Sequence, residues 1–271
     1  MTEKIDIALT GVPETLLIPL YYRALESQRS DAMLKDEKAV EIVARLNADF
    51  RHLKLQKHDV VGLVLRVRQF DRFASKFLDD HPYGVVVHIG CGLDTRFERS
   101  DNGLVEWFDL DLPEVVELRR RLIGDEGGRY HLLSCSVLDP TWIEKVKPWR
   151  QRPFLFLAEG VLPYFEEHQV KALVRQLLEV FPGSQIVFDA HAPWAIWVDN
   201  LQLALSKIKA RLRFSLKHGH DVESWGPGIH LLEEWHYYGT DEPRVRPFRF
   251  MYMIPFLRNS TGIFHFQLGS P

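Results

Sequence analysis

Residues 85–99 read VVVHIGCGLDTRFER, and the way this run ends decides how the chain folds. VVVHI has the length and apolar character of a buried strand; Gly90-Cys91-Gly92 breaks it, and the charged residues that follow open a helical pattern. A strand that ends in glycines and leads into a helix marks the first crossover of an open parallel sheet, whose ligand crevice lies beyond the carboxyl ends of the strands. Glycine permits positive φ there and lets backbone N–H groups approach a ligand closely. The next acidic strand end stands at a matching distance, with Asp109 and Asp111 nineteen and twenty-one residues after Gly90. That spacing suits an acid accepting hydrogen bonds from ribose hydroxyls.

Working outward, short apolar runs alternate with helical patterns: VVVHI, VEWFDL, YHLLSC, FLFLAE and QIVFDA. This alternation predicts an α/β, Rossmann-like fold, a mostly parallel sheet with helices on both faces. In LPEVVELRRRLIG, Pro113 suits the first helical position, Arg119 to Arg121 meet the negative end of the dipole, and Gly124 can cap. In EEHQVKALVRQLLEVFPGS, Val170, Leu173, Val174 and Leu177 form one apolar stripe that Pro182-Gly183 ends. Ala39, Ile42, Val43 and Leu46 show helical spacing upstream, so residues 1–80 are expected as an N-terminal helical cap and 81–271 as the core. Within the core, residues from about 191 to 225 carry two tryptophans and then Lys207, Lys209, Arg211, Arg213 and Lys217, and are expected as an inserted helical lid. RPFRFMYMIPF and GIFHFQLG flank RNSTG and are expected as a terminal β-hairpin at the sheet edge.

Composition narrows the partners. The 271 residues include 34 basic and 37 acidic side chains, a balance of -3 that gives no global case for nucleic acid or an anionic membrane. No uncharged segment approaches the ~20 apolar residues needed to cross a bilayer. Cys91 and Cys135 are too few for a disulfide framework, and MTEKIDIAL is acidic where a secretion signal needs a basic start, so a cytoplasmic protein with reduced thiols is expected. The histidines of HGHD (218–221), His230 and His236 lack metal-site spacing, and no metal is expected.

The dinucleotide fingerprint wants a third small residue at the helix start; that place holds Thr95, preceded by Asp94, and no Tyr-x-x-x-Lys pair occurs. A sulfonium cofactor has no pyrophosphate and carries positive charge, so an acidic, less tightly packed loop favours S-adenosylmethionine over NAD. Three motifs then come together. HIGCGLDTRFER, WFDLDLPEVVELRRRL and LFLAEGVLPYF, with PETLLIPLYYRALES, VLRVRQFDRF and PGSQIVFDA, span most of residues 10–190 and resemble the leucine carboxyl methyltransferase family, whose bacterial branch includes O-methyltransferases of polyketide pathways. The resemblance implies a class I methyltransferase fold and S-adenosylmethionine as cofactor. It implies that Arg66 holds the cofactor carboxylate, that the turn of Gly90 and Gly92 lies against the methionine part, and that Asp111 meets the ribose with Asp109 as a neighbouring support. Ser136 and Val137 stand where the family carries an Asp-Leu pair beside the adenine, and Glu159 matches the acid facing the cofactor near the transferred methyl. Read without the resemblance, Arg66 is also a helix-surface arginine and Asp111 also a cap for the helix at Pro113. Glu159 lies between apolar FLFLA and GVL, where an unpaired carboxylate is costly.

Methyl transfer from a sulfonium is an in-line displacement, so the protein must align nucleophile, methyl and sulfur and exclude water. A carboxylate acceptor needs no base, whereas a phenol or alcohol does. Candidate acceptor-site residues are Tyr21, Tyr22 and Arg23 of the cap, and His191 at the end of the fifth strand with Trp194 and Trp197 behind it. His191 reads equally as a strand-end hydrogen-bonder and the aromatics as lid core. The expected function is O-methyl transfer to a carboxyl or hydroxyl of a small metabolite, such as a polyketide-like acid. An NAD-dependent oxidoreductase and a non-catalytic S-adenosylmethionine-binding regulator are the other classes. Neither the catalytic residues nor the oligomeric state is set by the sequence.

Overall fold

The computed structural model describes residues 4, 5, 15–48, 50, 57–205 and 210–270. Pro13 and Glu14 of the first motif, Lys207 and Lys209 of the expected lid, and residues 1–3, 6–12, 49 and 51–56 of the expected cap lie outside the described residues.

Strand β1 (Val85–Ile89) is buried along its whole length, and its side chains divide between two cores: Val85, Val87 and Ile89 join one, Val86 the other. A strand apolar on both faces belongs in the middle of a covered sheet. The remaining strands are β2 (Glu106–Asp111), β3 (Tyr130–Ser134), β4 (Phe154–Ala158), β5 (Ser184–His191), β6 (Ile229–His236) and β7 (Thr261–Leu268). They form one sheet of order β3-β2-β1-β4-β5-β7-β6, parallel from β3 to β5, with β7 antiparallel to both neighbours. The chain turns outward in opposite directions from β1 and β4, so the switch point lies between them. Ile89 pairs with both Leu110 and Ala158, and Ala158 with Phe188, which brings Gly90, Asp111, Glu159 and Asp189 to one level past the strand ends.

Helix α3 (Lys57–Asp80) lays Phe70, Phe73, Ala74 and Phe77 on one face of the sheet. Helix α7 (Glu167–Val180) covers the other with its expected stripe of Val170, Leu173, Val174 and Leu177. Glu166 and Gln169 form a reciprocal capping box at its start. Helices α1 (Leu17–Ser27) and α2 (Glu37–Arg45) share a smaller core with Leu93 and Leu118. Two shorter helices, α4 (Arg96–Ser100) and α5 (Pro113–Leu122), follow β1 and β2, with Pro113 in the first turn of α5. Helix α6 (Thr141–Val146) follows β3.

One expectation is corrected. The terminal hairpin does not pair 246–255 with 261–268: residues Arg246–Met253 form a 3-10 helix and Pro255–Arg258 a short α-helix, α9. Pro247 and Pro255 cannot donate to a sheet ladder and sit in the first turns of these helices. The partner is β6, whose alternation is broken by a bulge between Leu231 and Glu233, and β7 inserts between β5 and β6 while β6 takes the edge. Among the described residues of the stretch expected as a helical lid, Pro193–Leu205 form α8 and Gly219–Trp225 a 3-10 helix; residues 211–216 carry no regular structure, and Phe214, Leu216, Val222 and Trp225 belong to the main core.

A buried imidazole in β7 makes the fold acid-sensitive. His265 packs edge-on against Phe73 with ring centroids 5.1 Å apart and lies 2.8 Å from Gln185 Oε1. Burial, assisted by Lys76, lowers its pKa from 6.5 to about 4. The unfolded chain therefore takes up a proton that the folded chain refuses, so this contribution is complete above pH 6.5 and is lost as pH falls towards 4, by up to about 3 kcal/mol. Urea midpoints for wild type and His265→Gln at pH 7 and 4.5 check it. The variant should show the shallower acid loss, and equal losses would dismiss His265 as the source.

Candidate active site

The turn after β1 requires glycine for conformational and steric reasons. Gly90 has φ +66°, and a Cβ there would lie 2.6 Å from the Val161 side chain. Gly92 has φ +52° and donates its N–H to Asp111 Oδ2 at 2.7 Å, while Leu112 N donates to Oδ1, also at 2.7 Å. Asp111 thus ties the glycine turn to the start of α5 and keeps part of its surface exposed. Burial pushes its pKa up despite the two N–H bonds.

Asp109, two residues earlier on the same strand face, is 1% exposed. It accepts from Trp107 Nε1 and the Tyr130 hydroxyl, each at 2.8 Å, and from the Arg119 guanidinium. Arg119 also donates to the carbonyls of Gly92 at 2.7 Å and Asp94 at 2.8 Å. Asp109 is therefore placed beneath the turn, without surface for a ligand. Arg119 was expected to meet the α5 dipole; it is instead 1% exposed and fastens the glycine turn to β2.

At the ends of β4 and β5 the chain gathers charge. Glu159 lies between two guanidiniums, with Arg66 Nε 3.0 Å from Oε1 and Arg96 Nη2 2.5 Å from Oε2. Arg66 Nη1 reaches Asp189 Oδ2 at 3.1 Å, and the other oxygen of Asp189 accepts Gly160 N at 2.6 Å. Burial works against the charge of Arg66, but Asp189 and Glu159 override it and raise its pKa. Gly160 has φ +66°, and a Cβ there would stand 3.1 Å from Arg66 Nη2, so its lack of side chain lets the guanidinium lie against the backbone. Nη2 of Arg66 has no hydrogen-bond partner among the described residues and is the donor left for a ligand carboxylate.

The acidity of the glycine loop is spent internally. Asp94 lies 3.0 Å from Arg96 Nη2 and 2.9 Å from Arg99 Nη2, and is 8% exposed. Those arginines hold its pKa well below the usual carboxylate range against the effect of burial. The charge argument drawn from Asp94 for a cationic cofactor is corrected accordingly. Ser136 and Val137 lie just past β3; Ser136 Oγ accepts Leu138 N at 3.2 Å, and Val137 is buried with its carbonyl accepting Trp142 Nε1 at 3.0 Å.

The acceptor candidates separate. Arg23 is 2% exposed and binds Asp36 Oδ2 and the Leu93 carbonyl, at 2.8 and 2.7 Å, so it docks α1 onto the glycine loop and offers nothing to an acceptor. Tyr22 is buried, and Tyr21 stacks on Phe50 at 4.4 Å. Trp194 stacks on Phe256 at 4.3 Å, and Trp197 is 69% exposed rather than set behind His191. His191, two residues beyond Asp189 on the same strand face, places Nδ1 2.8 Å from Asp199 Oδ2 in α8. Asp189, Arg96, Gly160 and Tyr237 escaped the sequence reading. Asp189 carried a signal, being an acid inside apolar QIVFDA just as Glu159 is inside FLFLA. Tyr237, whose pKa burial raises, neighbours Arg66 only through the fold.

The donor set fits S-adenosylmethionine: an exposed part of Asp111 beside a positive-φ turn for the ribose side, and a free guanidinium N–H of Arg66 for a carboxylate. A parallel sheet of this order with its constellation at the β1/β4 ends defines a Rossmann-like class I methyltransferase. The sequence profile of leucine carboxyl methyltransferases matches residues 17–178, and the chain belongs to that family. It is 36% identical over 230 residues to the tetracenomycin polyketide synthesis O-methyltransferase TcmP of Streptomyces glaucescens, covering 84% of each chain. It is 28% identical to the S-adenosyl-L-methionine-dependent methyltransferase dpfgK of Gibberella zeae, covering 85% of this chain and 84% of that one. A DUF574-family crystal structure from Streptomyces avermitilis shares the fold with a TM-score of 0.59 at 15% identity, over 93% of this chain and 97% of the other. The protein is thus an S-adenosylmethionine-dependent methyltransferase, and the oxidoreductase alternative falls away. No helix among the described residues is long and apolar enough to cross a membrane, and none of them form a group of three or more potential metal ligands.

Proposed function

We propose that the protein methylates a carboxyl or hydroxyl oxygen of a small metabolite, a polyketide-like acid being the acceptor class that the name of the Streptomyces glaucescens relative supports, and that it works in the cytoplasm. S-adenosylmethionine, when bound, supplies the electrophilic methyl on its sulfonium. Arg66 would hold its carboxylate, Asp111 its ribose, and the turn at Gly90 and Gly92 its methionine portion, with Ser136 and Val137 towards the adenine. Glu159 and Asp189 keep Arg66 oriented from both sides. Both oxygens of Glu159 are engaged by guanidiniums, so its part is to hold Arg66 and Arg96 in place.

The observation that carries the reading is His191 beside Asp199. Nδ1 lies 2.8 Å from Asp199 Oδ2, which has no hydrogen-bond partner among the described residues, and 3.4 Å from Thr261 Oγ1; a turn of the ring that let Nδ1–H donate to that carboxylate would leave Nε2 as an acceptor, which is what a hydroxyl nucleophile needs from a base. An acceptor that is already a carboxylate does without it. The name of the Streptomyces glaucescens relative supports oxygen as the methylated atom. Turnover with paired phenolic and carboxylic forms of one aromatic acceptor tests this. His191→Gln should lower kcat/KM for the phenol at least about a hundredfold and for the carboxylate less than about fivefold. Equal losses would remove His191 as a base, and cofactor binding without turnover on either acceptor would exclude this acceptor class.

A further inference from the structure

Residues 243–271 include four arginines and no aspartate or glutamate, although the chain as a whole carries a balance of -3. Positive charge is therefore concentrated locally, in the segment that runs through the 3-10 helix Arg246–Met253 and α9. The segment is firmly held. Arg244 at its start donates to both oxygens of Glu26, at 3.0 and 2.8 Å, and Arg258 at its end lies over the Tyr252 ring at 5.5 Å.

A 3-10 helix brings side chains three residues apart into one row. Here one row is Pro247, Phe250 and Met253, all exposed, the last two at 62% and 80%. The row beside it is Arg246, Arg249 and Tyr252, also exposed, while Met251 is half-buried on the third. Phe256, 60% exposed, extends the apolar surface and stacks on Trp194 of α8 at 4.3 Å. Trp194, Trp197 and Leu201 share one face of α8, so the exposed Trp197 and Leu201 continue the same surface. The Asn200 side chain bonds both backbone groups of Leu212, which sets exposed Arg211 beside that turn. The side chains of Arg246 and Arg211 have no ion pair or hydrogen bond among the described residues, and Arg249 has only an exposed partner, Asp241, at 3.2 Å.

Contiguous apolar surface of this kind marks an interaction face, and its charge selects the partner. A second copy docked face to face would bring the guanidiniums together with no acid of the segment between them. A lipid surface satisfies both rows: phenyl, thioether and indole groups enter the boundary between headgroups and acyl chains, and the arginines meet anionic headgroups. We propose that this face docks the protein on an anionic lipid bilayer, with Phe250, Met253, Phe256 and Trp197 entering the boundary and Arg246, Arg249 and Arg211 on the headgroups. Helix α8 also carries Asp199 to His191, so the docked face lies on that side of the site.

Cosedimentation of the full chain with vesicles tests this. At about 0.1 M salt the protein should bind vesicles of phosphatidylcholine with about 30% phosphatidylglycerol at least about tenfold more tightly than phosphatidylcholine alone, and about 0.5 M salt should remove most of the difference. The double variants Phe250→Ser/Met253→Ser and Arg246→Glu/Arg249→Glu should each weaken binding at least about tenfold. These side chains stand in solvent, so affinity for S-adenosylhomocysteine should stay at the wild-type value and report an intact fold. Brominated acyl chains should quench the tryptophan emission of wild type more than that of Trp197→Phe. No binding to the anionic vesicles would overturn the proposal, as would equal binding to neutral ones or binding that both double variants keep. So would a dimer in light scattering that Phe250→Ser/Met253→Ser splits while vesicles bind nothing, because the face would then belong to a second copy.

Discussion

Asp111→Ala lowers the affinity for S-adenosylhomocysteine by about a hundredfold or more in calorimetric titration, the expected cost of losing an ionised acceptor together with the two N–H bonds that shape the glycine turn. Gly92 N and Leu112 N each sit 2.7 Å from this one carboxylate, so removing it releases the turn and the start of α5 at once. Asp111→Asn keeps one acceptor oxygen and should fall between wild type and alanine. Protonation offers the same test without mutation. Burial raises the pKa of Asp111, so its charged form is lost earlier on acidification than that of an ordinary aspartate. Affinity should drop as pH falls towards that raised value, and the asparagine variant should not share the slope. A dissociation constant within about threefold of wild type for Asp111→Ala would remove Asp111 from the cofactor site.

The parts of this molecule legible in its sequence are those in which neighbouring residues carry the physics. VVVHI ending in Gly-Cys-Gly announced a buried strand and a positive-φ turn because both depend on local side-chain size. The α7 stripe and its Pro-Gly stop were equally local. Arg119 shows the limit. Its place three residues from the end of α5 reads as a dipole partner, yet the fold aims it at Asp109 and at two carbonyls of the β1–α4 loop, which no sequence window contains. The same holds for Glu159, whose acidity in an apolar strand end flagged a function but whose two partners come from α3 and α4. Strand β6 was missed because its bulge interrupts the period of two that would have revealed it. Residues 246–258 were misread because a Met- and aromatic-rich run suits a strand until its prolines are set against the ladder they cannot join.

The pair of Arg119 and Asp109 carries the largest expected stability effect. Each is 1% exposed, and together they link β2, β3 and the glycine turn through Tyr130, Gly92 and Asp94. Removing one member of a buried pair leaves the other charge uncompensated, at a cost of about 3–5 kcal/mol. For a chain of this size, Arg119→Met should lower Tm by roughly 6–20 °C. The acid responds to the same partner: against the effect of burial, Arg119 and then His88 hold Asp109 below its usual range. Arg119→Lys separates charge from geometry. It keeps the cation but loses the fork that serves a carboxylate, a hydroxyl and two carbonyls together, so it should restore part of the Tm while S-adenosylhomocysteine affinity stays low. The double variant Arg119→Met/Asp109→Leu removes both charges and should be less destabilised than Arg119→Met, because most of the single-variant cost is the stranded carboxylate. A Tm for Arg119→Met within about 2 °C of wild type would show that solvent reaches Asp109 and that the turn stands without this anchor.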